Sequence, residues 1–363
     1  MELGRLPLTY DECRARFRRA AMGAGIATVA HSIAAPGPDG QELTIDVATV
    51  GAKDPRRVLL VMSGVHGVEG FAGSALQCDL ITALGSDPLP ADTAVVVVHA
   101  VNPWGMAWWR RQNEQNVDLN RNWRRDDDQP AHNDAYDEIH PLACPDTPTL
   151  PTTETLFAAA GDLVAQRGLV WVRDGITMGQ YRHPDGLHFG GDRTEESTRI
   201  IEELAGEHLG GVERGFVFDL HTGHGPRGEV TFLSDAAPGS TQDEFLHSRF
   251  DPARIEPTVD NPAATTGAKS GQIANGIRDL FPEAMLYASS VELGTASDEE
   301  QLIATYQEQW VHRRGLREHP DHASVVWAYR CCFTPDDGTW ERDALAAGAG
   351  QLAAAVRAVA EWS

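Results

Sequence analysis

Residues Val58–Leu76, "VLLVMSGVHGVEGFAGSAL", decide how the chain is read. Five of the first six residues are apolar, and Ser63-Gly64 closes the run. A short continuous apolar run that ends in glycine is what a strand buried on both faces looks like. From Phe71 the stretch reads as a helix, and "DTAVVVVHAVNP" (Asp92–Pro103) is a second buried strand. A helix between two buried strands is the signature of a parallel α/β sheet.

Elsewhere in the chain, "RGFVFDLHTG" (Arg214–Gly223) and "EAMLYASSVELGT" (Glu283–Thr295) are further apolar strands. "GIATVAHSI" and "ELTIDVATV" form a strand pair around the turn-rich "AAPGPDGQ". Helices are expected from about Thr9, as cap, to Ala21, and over "TETLFAAAGDLVAQRG", "TEESTRIIEELAGEHL" and the Ala-rich "ERDALAAGAGQLAAAVRAVAEW". The acidic, Pro-rich stretch from Asp126 to about Pro151 reads as a solvated loop. Nothing resembles an interdomain linker, so residues 1–363 are read as one domain.

Composition excludes several functions. With 30 Lys+Arg against 53 Asp+Glu, the formal net charge is -23. That speaks against nucleic acid and against anionic membrane surfaces. No apolar run approaches the roughly 20 residues that span a bilayer. The N-terminal stretch lacks the apolar core of a signal peptide, and the five cysteines form no CxxC pair. The expectation is a cytoplasmic, reduced protein. No GxSxG elbow occurs, which removes the serine-hydrolase reading.

Ionisable groups gather where the apolar strands end. His66 and Glu69 lie three apart among glycines, His221 sits in "FDLHTGHG", and Glu292 sits in "SVELGT". In open α/β sheets, ligands bind beyond the carboxyl ends of the strands. His66 and Glu69 on one turn and His221 from another strand make a His₂Glu set suited to catalytic zinc, which leaves a position for water. Asp219, two residues before His221, is placed to orient its imidazole. In "VDLNRNW" (Val117–Trp123), Asn120 and Arg121 side by side suit a carboxylate, with arginine able to hold it in bidentate fashion.

Taken together, the HxxE at His66–Glu69, "NPWG" with Arg110 and Arg111 after it, "VDLNRNW", His221 and Glu292 resemble the zinc carboxypeptidase superfamily, the carboxypeptidase A-like group. The resemblance spans about Val58 to Thr295. "MGQYRHPDGLHFGG" and "DLHTGHGPRG" further resemble an uncharacterised bacterial carboxypeptidase-like branch. It implies a three-layer α/β/α sandwich around a mostly parallel, mixed central sheet. It implies that His66, Glu69 and His221 hold Zn²⁺. Glu292 would act as general base toward water and then as general acid toward the leaving amine. Arg111 would stabilise the oxyanion, with Arg110 as the competing candidate, and Asn120 and Arg121 would bind the substrate's terminal carboxylate. The group's mobile tyrosine has no counterpart between Arg249 and Glu283, and Tyr181, from another loop, is the candidate to stand in for it. The region of about 126–193 reads as an insertion over the mouth of the cleft. His183, His188 and His224 read as hydrogen-bonding loop residues.

The expected activity is hydrolysis of an amide in a carboxylate-bearing substrate, first a peptide trimmed at its C-terminus, with an N-acyl amino acid as the alternative. The latter is the chemistry of a branch resembling succinylglutamate desuccinylase and aspartoacylase. The reading from another class is a non-catalytic relative that binds peptide or metal.

Overall fold

The computed structural model describes residues 6–124, 132–259, 269–314 and 319–362. Its strands are β1 (Thr28–Ser32), β2 (Thr44–Gly51), β3 (Arg57–Ser63), β4 (Thr93–His99), β5 (Arg214–Gly223), β6 (Val230–Ser234), β7 (Ile255–Pro257) and β8 (Met285–Gly294). They form one sheet in the order β1-β2-β4-β3-β5-β8-β6-β7. The pairs β4/β3, β3/β5, β5/β8 and β6/β7 are parallel. The pairs β1/β2, β2/β4 and β8/β6 are antiparallel. The sheet is therefore mixed, with a parallel centre.

The period of two along β3 explains the layers. Leu59 and Val61 face a core shared with α1 (Tyr10–Gly23), α2 (Gly70–Leu84) and α12 (Gly338–Ala360). Val58, Leu60 and Met62 face a second core, built with α7 (Glu196–Leu209) and α9 (Ile273–Asp279). The result is the three-layer α/β/α sandwich. Thr9 caps α1 by accepting from the Glu12 N–H at 3.2 Å.

From β3 the chain crosses through α2 to β4 on one side of β3, and β5 lies on the other. The strand order thus reverses at β3, and the crevice beyond the ends of β3 and β5 is where such a sheet offers a ligand site.

One stretch differs from its reading as loop. Asp134–Ala143 is a helix, α4, whose cap Asn133 accepts from the Tyr136 N–H. Tyr136, Ile139 and Ala143 are its buried face, at helical spacing, and the acidic residues point elsewhere. With α5 (Thr153–Arg167) it packs on α10 (Asp298–Arg313) through Leu156, Ile303 and Tyr306. The Asp126–Asp128 run lies outside the described residues. Among the described residues, no helix is long and apolar enough to cross a membrane.

Candidate metal centre

The segment after β3 carries two of the expected ligands, and its shape depends on what it packs against. Gly67 approaches α3 (Pro103–Trp108) so closely that a Cβ there would lie 2.0 Å from the Gly105 carbonyl carbon. The Val68 N–H donates to the Arg110 carbonyl at 2.8 Å, and the Gly67 N–H to that of Arg111 at 3.3 Å. Asn102 fastens the same corner. Its side chain caps α3 by accepting from the Gly105 N–H and donates to the Arg111 carbonyl. The "NPWG" turn is thus the base on which the His66–Glu69 turn rests.

His66, Glu69 and His221 converge, each with a ligand atom within 4.8 Å of the others. All three are buried. His66 Nδ1 and His221 Nδ1 each lie 2.8 Å from a different oxygen of Glu69. On the far side of each ring is another carboxylate. His66 Nε2 is 3.2 Å from Asp118 Oδ1, and His221 Nε2 is 2.8 Å from Asp219 Oδ2. A neutral imidazole has one N–H to donate. Here both nitrogens of both rings face carboxylate oxygens, so each ring is one proton short. Two added protons fill that deficit, and so does one divalent cation among the two Nδ1 atoms and Glu69. This carboxylate–histidine arrangement on both rings is what orients imidazoles toward a metal. The donor set of two nitrogens and a carboxylate fits zinc.

The charges at this floor are mutually compensated. Burial alone would raise the pKa of Glu69, but electrostatic attraction from the His66 side and the hydrogen bonds from His221 and His66 outweigh it and hold Glu69 ionised. Burial opposes charge on His221 too, and Asp219 and Glu69 together lift its pKa well above the ordinary value. Asp118 is held well below the usual carboxylate range: burial works against its charge, while Arg111, His66, Arg121 and a His188 hydrogen bond favour it.

The two arginines after α3 part company. Arg111 donates from Nε to Asp118 at 3.0 Å and from Nη1 to Glu69 at 3.3 Å, so its guanidinium stands at the centre. Arg110 points away, into a buried pair with Glu308 at 2.8 Å and bonds to Gln309, Gln112 and Asn116. Arg110 is therefore a support of α10 and is removed from the candidate site residues.

Glu292 is in register with His221 on the adjacent strand, and its Oε2 accepts from the His224 N–H at 3.4 Å. Partners paired across a sheet project to the same face, so Glu292 sits beside the ligand set. Arg121 is buried, and its guanidinium donates to the carbonyls of Thr177 and Asn120. Asn120 Oδ1 accepts from the Ile273 N–H at 3.1 Å. Tyr181 donates its hydroxyl to the Arg121 carbonyl at 2.7 Å. In this conformation it braces the Arg121 backbone and makes no contact with the ligand set, which departs from its expected role as stand-in for the mobile tyrosine. His183, His188 and His224 bond to Asp137, Asp118 and Glu256, as loop histidines do.

Sequence reasoning missed two residues here. Asp118 belongs to the "VDLNRNW" stretch. The need of a ligand histidine for a carboxylate partner was the signal that could have found it. Lys269 lies within electrostatic reach of Arg121, Glu292, Arg111 and Asp118, and no motif marks it.

The family model described as "Protein of unknown function (DUF2817)" matches residues 7–347. The chain belongs to this family. No curated protein matches it. Among solved structures, this family member is similar to carboxypeptidase A from Helicoverpa armigera, with 12% identity, a TM-score of 0.48, and coverage of 98% of this chain and 74% of that one. It is similar to bovine thrombin-activatable fibrinolysis inhibitor, solved with tick carboxypeptidase inhibitor (12% identity, TM-score 0.48, 89% and 95% covered). It is also similar to an aspartoacylase family protein from Mesorhizobium loti (14% identity, TM-score 0.38, 81% and 68% covered). Likenesses this distant say nothing of activity, and the chemistry of the centre is carried by its side chains.

Proposed function

We propose that the protein is a zinc-dependent hydrolase that cleaves an amide bond next to a carboxylate, as a carboxypeptidase does at peptide C-termini. The observation that supports this best is the buried convergence of His66, Glu69 and His221, with Asp118 and Asp219 behind the two imidazoles. These three would hold the zinc. A bound zinc supplies Lewis acidity, which polarises a carbonyl and eases deprotonation of water.

The remaining roles belong to the chain. Glu292, beside His221, takes a proton from the attacking water and returns it to the departing amine. Arg111 faces the centre and stabilises the oxygen on which negative charge develops. Arg121, with Asn120, binds the substrate carboxylate: its guanidinium is bonded to backbone carbonyls and has no ion-pair partner among the described residues. A peptide and an N-acyl amino acid both present the required carboxylate and amide. The expected place of work is the cytoplasm, where the five free cysteines stay reduced.

The test is Glu292→Gln, assayed on peptides and N-acyl amino acids with bound zinc measured alongside. Turnover should fall by about 10²–10⁴-fold, the usual range for a positioned acid–base group, with zinc retained. Loss of zinc would make Glu292 a ligand, and unchanged turnover would remove it from the reaction.

A further inference from the structure

Arg121 and Lys269 lie within electrostatic reach of each other at the wall of the centre, because the local backbone holds their segments together. Gly271 has φ +68° and lies so close to Arg121 that a Cβ there would be 2.3 Å from the Arg121 carbonyl oxygen. The Trp123 N–H donates to the Gly271 carbonyl at 3.0 Å, and the Ile273 N–H to Asn120 Oδ1 at 3.1 Å. The Tyr181 hydroxyl joins the Arg121 carbonyl at 2.7 Å to Ser270 Oγ at 3.2 Å. Residues 270–273 are therefore clamped along Asn120–Trp123, and Lys269, next in the chain, lies within electrostatic reach of Arg121 and Glu292. Among the described residues, neither Arg121 nor Lys269 makes an ion pair with a carboxylate. The nearby acids are engaged elsewhere: Asp118 with Arg111 and His66, and Glu256 with His224. Glu292, the proposed acid–base group, is within reach of Lys269 but beyond ion-pair distance.

Leaving two sheltered cations without an ion-pair partner is costly. Burial first, and Arg121 second, push the Lys269 pKa down to about 8, with Glu292 pulling it back up. Shortage of acid does not explain this, since the chain carries 53 Asp+Glu against 30 Lys+Arg. The ion-pair partner that neither cation has among the described residues is most simply a ligand with two negative groups.

We propose that Arg121 and Lys269 together bind two carboxylates of one substrate, so that the residue released by hydrolysis is acidic. The substrate class is then a peptide ending in aspartate or glutamate, or an N-acylated form of either. Lys269 is thereby the specificity-determining residue. Its amine reaches a side-chain carboxylate, while Arg121 holds the main-chain one in bidentate geometry.

The proposal rests on the hydrolase reading for the scissile amide, but binding tests it without turnover. The zinc-loaded protein is titrated calorimetrically with malonate, succinate and glutarate, and with butyrate as the single-charge reference. For a charge-assisted contact in a sheltered site, the tightest dicarboxylate should bind about tenfold or more tightly than butyrate. In Lys269→Met, with an unchanged melting temperature, that ratio should fall to about threefold or less, and Lys269→Arg should restore most of it. A wild-type ratio near one, or a ratio that Lys269→Met leaves intact, overturns the proposal. A Lys269-dependent preference in a protein that cleaves no amide would keep this inference and remove the hydrolase reading instead. Should Lys269→Met unfold, Lys269→Gln keeps a polar side chain and reads the same ratio.

Discussion

At the floor of the centre every charge has a partner, and at its wall two cations have none among the described residues. Glu69 lies between two imidazoles, Asp118 and Asp219 back those rings, and Arg111 spans Glu69 and Asp118. Arg121 is buried and Lys269 half-buried, yet neither faces a described carboxylate at ion-pair distance. One crevice thus divides its work. On the proposed reading, the floor holds a fixed cation whatever the substrate, and the wall is left for substrate to complete.

The adjacent arginines offer the harshest challenge to that division. Arg110 is locked into a buried pair with Glu308, so Arg110→Met strands a buried carboxylate and should cost about 3–5 kcal/mol of stability. Its effect on kcat/KM at a temperature where the variant is folded should be small. Arg111→Met also takes a partner from buried Asp118 and Glu69 and should cost stability too, but in the folded, zinc-loaded protein its kcat should fall by about 10²–10³-fold, as when an oxyanion donor is removed. Melting curves and steady-state kinetics on the two variants check this. An interchange of the two outcomes would mean that the assignment of roles is inverted.

A smaller effect probes the wall. Lys269 is protonated below about pH 8 and neutral above it. The preference for a dicarboxylate over butyrate should therefore be full at pH 7 and mostly lost by pH 9. Around Lys269 stand Arg121, Arg111, Glu292, Asp118 and Glu256, the last bonded to His224. Lys269→Arg stays charged and should hold the preference at pH 9. A loss of preference that survives in Lys269→Arg would assign the pH dependence to His224 behind Glu256.

The floor was legible in the sequence because strand ends, glycines and ligand spacing all act locally. An apolar run in β3 must stop, and Gly67 is needed for the turn to pass Gly105, so His66 and Glu69 declare themselves within a dozen residues. His221 and Glu292 were readable for the same reason, each ending an apolar strand. The wall was not. Which of Arg110 and Arg111 turns inward depends on Glu308 on α10, almost two hundred residues away in sequence. Lys269 reaches the site only because Gly271 and Ser270 dock on Arg121 and Tyr181. Helix α4 was hidden by its acidic residues and Pro141, although Tyr136, Ile139 and Ala143 kept the helical period.

Everything above the floor depends on its holding a metal through His66, Glu69 and His221. The decisive measurement is the metal content of the purified protein and of His66→Ala, by mass spectrometry after zinc is supplied. About one zinc per chain is expected in the wild type and none in the variant, since removing one of three protein ligands opens the site. Zinc held equally by both, or by neither, would contradict the assignment.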